Sequence, residues 1–304
     1  MSAAHLRLRL GIEQDRERRV FGQGRNFFHI ENWYSVHGLI RGLLRASLLY
    51  ERGRRNALNI RVREHTVHLQ GLPEAFDGLR VLQLSDLHLD MTPDFPNVLG
   101  RVVRDLDYDL CVMTGDYRGK TFGPIEETLD GLERLRTQLR EPVYAVLGNH
   151  DSVRLVPDME DLGIRVLLNE SISIERAGAR IYLAGIDDPH YFRADNLEKA
   201  STDIPEDQVS VLLAHSPEIY RNAAHAGFDL MLCGHTHGGQ ICLPGGVAVM
   251  CNADAPRRYC AGPWRYHDLR GYTSVGAGSS VVHVRLNCPP EVTVHILRRG
   301  LEAA

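Results

Sequence analysis

The sequence predicts a layered α/β domain over residues 57–304 behind a helical extension over residues 1–56, and three observations carry that reading. First, short apolar runs of strand length recur from Leu79 onward and alternate with helical patterns, as strands buried on both faces between helices do. Second, five of these runs end directly in Asp, His or Asn. Third, the charge is divided. The net charge of −4 over 304 residues conceals 13 Arg, no Lys and 6 acidic residues in positions 1–64, a balance of +7, which leaves −11 for the remainder. A basic head on an acidic body points to a polyanionic partner for the head. A composition of 43% hydrophobic and 24% charged residues excludes collagen-like, coiled-coil and wholly disordered chains.

In the extension, Arg, Glu, Asp and Gln interrupt the first thirty residues, so no secretory signal core is present. The apolar stretch from Gly38 to Tyr50 is broken by Arg41 and Arg45 and cannot span a bilayer. Helical spacing places Val36, Leu39, Ile40, Leu43, Ala46 and Tyr50 on one side and Arg41, Arg45, Arg52 and Arg55 opposite, whereas Leu44, Leu48 and Leu49 fit the stripe poorly. Trp33 and Tyr34 open the segment with amphipathic rings. Two placements fit residues 33–55: lying on an anionic membrane surface, or packing on the catalytic domain with the arginines in solvent.

Ile60–Arg63 and Thr66–Leu69 read as a hairpin or an extended lead-in. The strong strands follow at Leu79–Ser85, Leu110–Thr114, Val143–Leu147, Ile181–Ile186, Val209–Ala214 and Leu230–Cys233, with helical patterns at Ile125–Leu139 and Asp158–Leu162. The six cysteines include no CxxC pair and read as reduced thiols of a cytosolic protein.

The chemistry lies in the loops after the strands. Leu84 is followed by Ser85-Asp86-Leu87-His88, Thr114 by Gly115-Asp116, Leu147 by Gly148-Asn149-His150-Asp151, Ala214 by His215, and Cys233 by Gly234-His235-Thr236-His237. In α/β sheets, ligand sites form at the carboxyl ends of strands, so these residues should converge. Carboxylate, amide oxygen and imidazole suit divalent Mn, Fe or Zn, and the lack of Cys in these loops argues against a structural zinc site. Glycines beside the ligands allow tight turns.

This ordered set, DxH, GD, GNHD, H and GHTH, resembles the calcineurin-like metallophosphoesterase superfamily over roughly residues 79–297. The resemblance implies a four-layer αββα sandwich of two mixed sheets and a pair of divalent metal ions, manganese foremost with iron or zinc as alternatives. It implies Asp86, His88 and His237 on one ion, Asn149, His215 and His235 on the other, and Asp116 bridging them. His150 matches the family's non-ligand histidine, which protonates the leaving group or steadies the transition state, and its neighbour Asp151 is expected to orient that imidazole. Two such ions clamp the attacking and leaving oxygens of a phosphoryl displacement and acidify a water for the attack.

Gly185-Ile186-Asp187-Asp188-Pro189, the GHTHGGQICLP stretch from Gly234 to Pro244, and Asn287-Cys288-Pro289-Pro290-Glu291-Val292 look like the bacterial membrane-associated branch, which includes phosphodiesterases and UDP-2,3-diacylglucosamine pyrophosphatases of lipid A synthesis. Where that family often has Arg-Gly, this chain reads Val275-Gly276. Arg118, Arg257, Arg258 and Arg285 are candidates to hold a second phosphate or to play solvated or structural roles, and His190 and Tyr191 to edge the pocket or to lie on a surface loop. Histidines without motif context, such as His5, read as structural or surface residues. The expected activity is hydrolysis of a phosphodiester or pyrophosphate with a lipid-like part, at the cytoplasmic face of the membrane. The alternatives are a soluble phosphodiesterase for nucleotides and a non-catalytic membrane scaffold. The acidic body disfavours a nucleic acid polymer, whose grip needs a broad basic footprint.

Overall fold

The computed structural model describes residues 2–22 and 34–300, with the side chains of 19–22 and 34–36 left aside. In chain order its helices are α1 (Ala3–Gly22), α2 (Tyr34–Ala46), α3 (Tyr50–Ala57), α4 (Phe95–Val103), α5 (Glu126–Arg136), α6 (Val156–Asp161), α7 (Leu197–Ser201) and α8 (Tyr220–His225). The strands are β1 (Arg61–Leu69), β2 (Arg80–Leu84), β3 (Leu110–Thr114), β4 (Val143–Val146), β5 (Ile164–Val166), β6 (Glu170–Arg176), β7 (Ala179–Gly185), β8 (Ser210–Leu213), β9 (Leu230–Cys233), β10 (Gly262–Tyr266), β11 (Leu269–Thr273) and β12 (Glu291–Arg299). They form two six-stranded sheets, in the orders β1-β12-β2-β3-β4-β5 and β10-β11-β9-β8-β7-β6. Both sheets are mixed, and β2, β3, β4 and β5 run parallel, as do β7, β8, β9 and β11.

Side chains alternate across each strand, and the core divides accordingly. Val81, Leu110, Val112 and Val146 of the first sheet meet Leu183, Val211, Leu213, Leu230 and Leu232 of the second in the interior between the sheets. Leu82, Leu84, Cys111, Met113 and Ala145 point outward to Leu99, Val103, Leu132, Leu135 and Met159 on the flanking helices α4 to α6. Ala184, Leu212, Met231 and Cys233 point the other way, to Tyr220, Ala223, Tyr259 and Trp264. Apolar residues on both faces explain why these strands read as unbroken hydrophobic runs. Gln83 is a buried polar residue of β2. Its amide donates to Thr114 Oγ1 (3.1 Å) and to the Cys233 carbonyl (3.0 Å), tying the two sheets together beneath the ends of β2, β3 and β9.

Of the two readings of residues 61–69, the extended one holds, because their partner is β12, with Arg61 opposite Glu291 and Leu69 opposite Arg299. Two local expectations are corrected. In the extension the helix breaks at Ser47–Leu49, where Leu48 takes a φ of 60°, and restarts as α3. Among the described side chains of α2 the buried one is Leu44, not Leu39 or Leu43, packed with Val282, Val284 and Leu286, while Leu39 and Leu43 are both 62% exposed. Trp33 lies outside the described residues, as do the side chains of Tyr34 and Val36. No described helix is long and apolar enough to cross a membrane.

Candidate metal centre

The two sheets meet where the carboxyl ends of β2, β3 and β4 face those of β8 and β9. Asp86 and His88 follow β2, Asp116 follows β3, and Asn149 and His150 follow β4, while His215 follows β8 and His235 and His237 follow β9. All are at most 7% exposed. The loops must turn sharply to bring so many side chains to one place, and the backbone shows it. Asp86, His88, Asp116, His235 and His237 all adopt positive φ, between 43° and 71°, a region that costs non-glycine residues about 1–3 kcal/mol each. Close packing of the turns accounts for Gly234, whose absent Cβ would lie 1.9 Å from Ser85 Oγ and 2.3 Å from Asp86 Oδ2.

Two trios converge. The ligand-capable atoms of Asp86, His88 and His237 lie within 4.8 Å of one another, and so do those of Asp116, His215 and His235. Asn149 joins the second, its Oδ1 lying 3.0 Å from His215 Nε2. Asp116 Oδ2 faces both groups, 3.2 Å from His215 Nε2 and 4.0 Å from His88 Nε2. The outer nitrogens decide which lone pairs are free. His215 Nδ1 donates to the Thr114 carbonyl (2.8 Å), and His88 Nδ1 donates to that of Arg118, so in the neutral rings each Nε2 presents a bare lone pair inward. His88 Nε2 meets His237 Nε2 at 3.0 Å, and His215 Nε2 meets His235 Nδ1 at 3.2 Å. Ring nitrogens, carboxylate and amide oxygens that face one another in a buried space require a cation or a proton between them, so the residues fit a pair of divalent metal ions.

The electrostatics agree. Burial disfavours charge on His215, yet the Asp116 carboxylate beside it drives its pKa up to about 10. Burial, and then neighbouring imidazoles, hold His235 and His237 well below the ordinary histidine value. Asp116 stays ionised against its own burial because His215 and His150 flank it. The pocket is therefore electronegative, and in the absence of metal it draws a proton to His215.

His150 lines the same cavity, with its amide donating to Asp116 Oδ1 (2.9 Å) and its ring 5.4 Å from that of His88. Asp151 does not play the part expected of it. Its carboxylate accepts the amides of Asp116 (2.7 Å), Tyr117 (2.8 Å), Arg118 (3.3 Å) and Gly148 (2.8 Å), locking the loops after β3 and β4 together. The group on His150 Nδ1 is Thr121 Oγ1, at 3.0 Å. Burial, with Asp116 nearby, pushes the Asp151 carboxyl up to about 6, opposed by those amide donors.

The four arginines proposed for a second phosphate do not face the metal site together. Arg118 is 1% exposed, and its guanidinium donates to the carbonyls of Thr121, Gly123 and Pro124. Arg285 is fully buried behind His237, donating to the carbonyls of Val275, Gly276, Gly278 and His237. Both are withdrawn from substrate because buried carbonyls of tight loops claim their donors. Arg257 is exposed and holds the Ala248 and Val249 carbonyls (3.3 Å each), and the exposed Arg258 stacks on Tyr259. His190 does reach the site. Its Nδ1 lies 2.8 Å from Glu218 Oε1 and its ring 4.2 Å from that of His235, so His190, Glu218 and His235 form a third trio.

Sequence reasoning missed Thr121, Glu218 and a set on the N-terminal helix, His5, Arg9 and Glu13. The apolar half of the cavity was also missed. The space of about 410 Å³ is lined by Asp116, Asn149, His150, His235 and His237 and also by Ile40, Ile241, Val249, Met250, Val281 and Val282.

The chain is similar to known proteins. The family model described as calcineurin-like phosphoesterase matches residues 79–239. An uncharacterized metallophosphoesterase of Bacillus subtilis, YkoQ, is 32% identical over 79% of this chain and 92% of its own length. The phosphodiesterase YaeI of Escherichia coli is 29% identical over 71% of this chain and 80% of its own length. A Bos taurus transmembrane protein with a metallophosphoesterase domain is 30% identical over 76% of this chain and 56% of its own length. With a sheet pair, buried clusters of side chains that could hold divalent metal and these relatives in agreement, the chain belongs to the calcineurin-like phosphoesterase family and is a metal-dependent phosphoester hydrolase.

Proposed function

We propose that the enzyme cleaves a phosphodiester or pyrophosphate whose other part is lipid-like, taking the substrate from a membrane surface. The observation that carries this reading is the cavity that joins the metal-ligand cluster to an apolar wall. Asp86, His88 and His237 would hold one ion and Asn149, His215 and His235 the other, with Asp116 between them, and manganese suits this oxygen and imidazole set. Two divalent ions supply positive charge to the phosphoryl oxygens and a nucleophile near neutral pH. His150 stands over the same space to give a proton to the departing oxygen, its ring set by Thr121.

Val249 and Met250 of that wall are themselves more than half exposed, as are Leu39, Leu43 and Leu48 of the extension and Leu243 and Val247. Arg41 and Arg45 on the same extension are exposed too, and cations flanking apolar side chains suit an anionic lipid surface. A nucleotide offers only the faces of its base to such a wall, whereas acyl chains gain about 0.8 kcal/mol for each methylene they bury.

The deciding assay supplies Mn(II) and compares UDP-2,3-diacylglucosamine with linear and cyclic nucleotides. Release of UMP and lipid phosphate at a higher kcat/KM than any nucleotide supports the reading, and preference for the nucleotides refutes it. Co-sedimentation with anionic vesicles tests the surface: Leu43→Asp with Leu48→Asp should abolish binding while leaving hydrolysis of a soluble aryl diester unchanged.

A further inference from the structure

Helix α1 turns a polar face to the protein interior. His5, Arg9 and Glu13 recur every four residues and so share one side of the helix, and they are only 9%, 0% and 8% exposed. Arg9 is engaged on every side. Its Nε lies 3.2 Å from Asp187, one terminal nitrogen donates to Glu13 Oε1 (2.9 Å), the other donates to the main-chain carbonyl of Asp151 (3.0 Å), and the guanidinium carbon sits 3.3 Å from the centre of the Phe192 ring. Glu13 accepts from Ser152 Oγ (2.6 Å) and from the Val153 amide (2.8 Å). His5 Nε2 lies 2.8 Å from Asp187 Oδ2.

These contacts fall on two segments. One is Asp151–Val153, immediately after His150. The other is Asp187, whose carboxylate accepts the Asp188 amide at the start of the loop that carries His190 to His235. A buried ionic network is rarely a source of net stability, since apolar side chains of the same volume serve as well, but it fixes geometry closely. None of these bonds from His5, Arg9 and Glu13 ends on a metal ligand. The ligands are braced from other elements, as in His215 on Thr114 and the His235 amide on Asp86.

We infer that α1 is a positioning element of the active site, in which Arg9 and Glu13, through the main chain of Asp151–Val153, set His150 against the leaving group. The inference rests on the leaving-group role given to His150. A misplacement of about 1 Å by a residue remote from the chemistry can cost about a hundredfold in rate.

The test uses full-length, Mn(II)-loaded protein carrying Arg9→Met or Glu13→Gln, each alone and with His150→Asn. Glu13→Gln is nearly isosteric and serves if Arg9→Met folds poorly. Two diesters are compared, one releasing a nitrophenolate, which departs readily without a proton, and one releasing an alkoxide, which does not. Each single variant should lower kcat for the alkoxide substrate by about 10- to 100-fold and for the nitrophenolate substrate much less, with KM and metal content unchanged. Amide hydrogen exchange at residues 150–154 should quicken. In the His150→Asn background the added loss should vanish. Wild-type kcat in both variants, losses that multiply with that of His150→Asn, or metal loss in step with activity each overturns the inference. Should the wild type hydrolyse neither diester, the enzymatic reading fails instead, and unchanged exchange at 150–154 would still overturn the role of α1.

Discussion

Binding of the second cation should be tightly coupled to pH through His215. In the metal-free protein this histidine titrates at about 10 beside Asp116, so at pH 7 it is almost fully protonated, and a cation must displace that proton to reach Nε2. The interval between about 10 and pH 7 corresponds to about 4 kcal/mol, or roughly a thousandfold in apparent affinity. The other residues of this site contribute no comparable proton, because burial and the neighbouring imidazoles keep His235 neutral and Asp116 is held ionised. The affinity for Mn(II) at this site should therefore rise about tenfold per pH unit from 7 to 9, with about one proton released per ion near pH 7.5. Isothermal titration in two buffers of different ionisation enthalpy measures both quantities. Affinity flat from pH 7 to 9, or no proton release, would refute the argument.

Other outcomes follow from the same geometry. Asp116→Asn removes the carboxylate that faces both trios and should abolish hydrolysis of an aryl phosphodiester, as should exhaustive chelation; activity that survives either treatment contradicts a metal mechanism. His150→Asn should lower turnover of a diester that releases an alkoxide by about 10²- to 10⁴-fold with metal content near wild type, and loss of metal instead would make His150 a ligand. Gly234→Ala would place a methyl group 1.9 Å from Ser85 Oγ, so it should lower Tm and weaken metal binding together, and a wild-type melting curve would show that the turn has more room than the structure allows.

How far the sequence could be read depended on how local each signal was. The strands β2, β3, β4, β8 and β9 were visible because each is a short apolar run that ends in a ligand, so one stretch of chain carries both packing and chemistry. The edge strand β6 reads Glu-Ser-Ile-Ser-Ile-Glu-Arg, too polar to stand out, and β11 carries Gly271, kept bare because the Trp264 ring lies 2.2 Å from where a Cβ would be. β1 was legible as extended chain but not as to partner, since its partner is some 230 residues away. The face of α1 was hidden for a stronger reason. Arg9 and Glu13 are residues that ordinarily face water, and what draws them inward is the carbonyl of Asp151, the hydroxyl of Ser152 and the carboxylate of Asp187, all remote in the chain. Arg118 and Arg285 take the structural one of the two roles the sequence left open, since loop carbonyls accept from their guanidinium groups.

The place of β12 in the first sheet bears on how the chain is made. It is the last strand, yet it lies between β1 and β2 rather than at an edge. A nascent chain that has emerged only as far as the ligand loops has β1 without its neighbour and β2 with an open flank, and unpaired flanks of apolar strands invite pairing with other chains. The ligands of both trios precede β12, so the whole metal-binding set is translated before the sheet beneath it can close. Maturation should accordingly be a single late event, and a chain that stops short of Glu291 should be an aggregation hazard rather than a weakened enzyme.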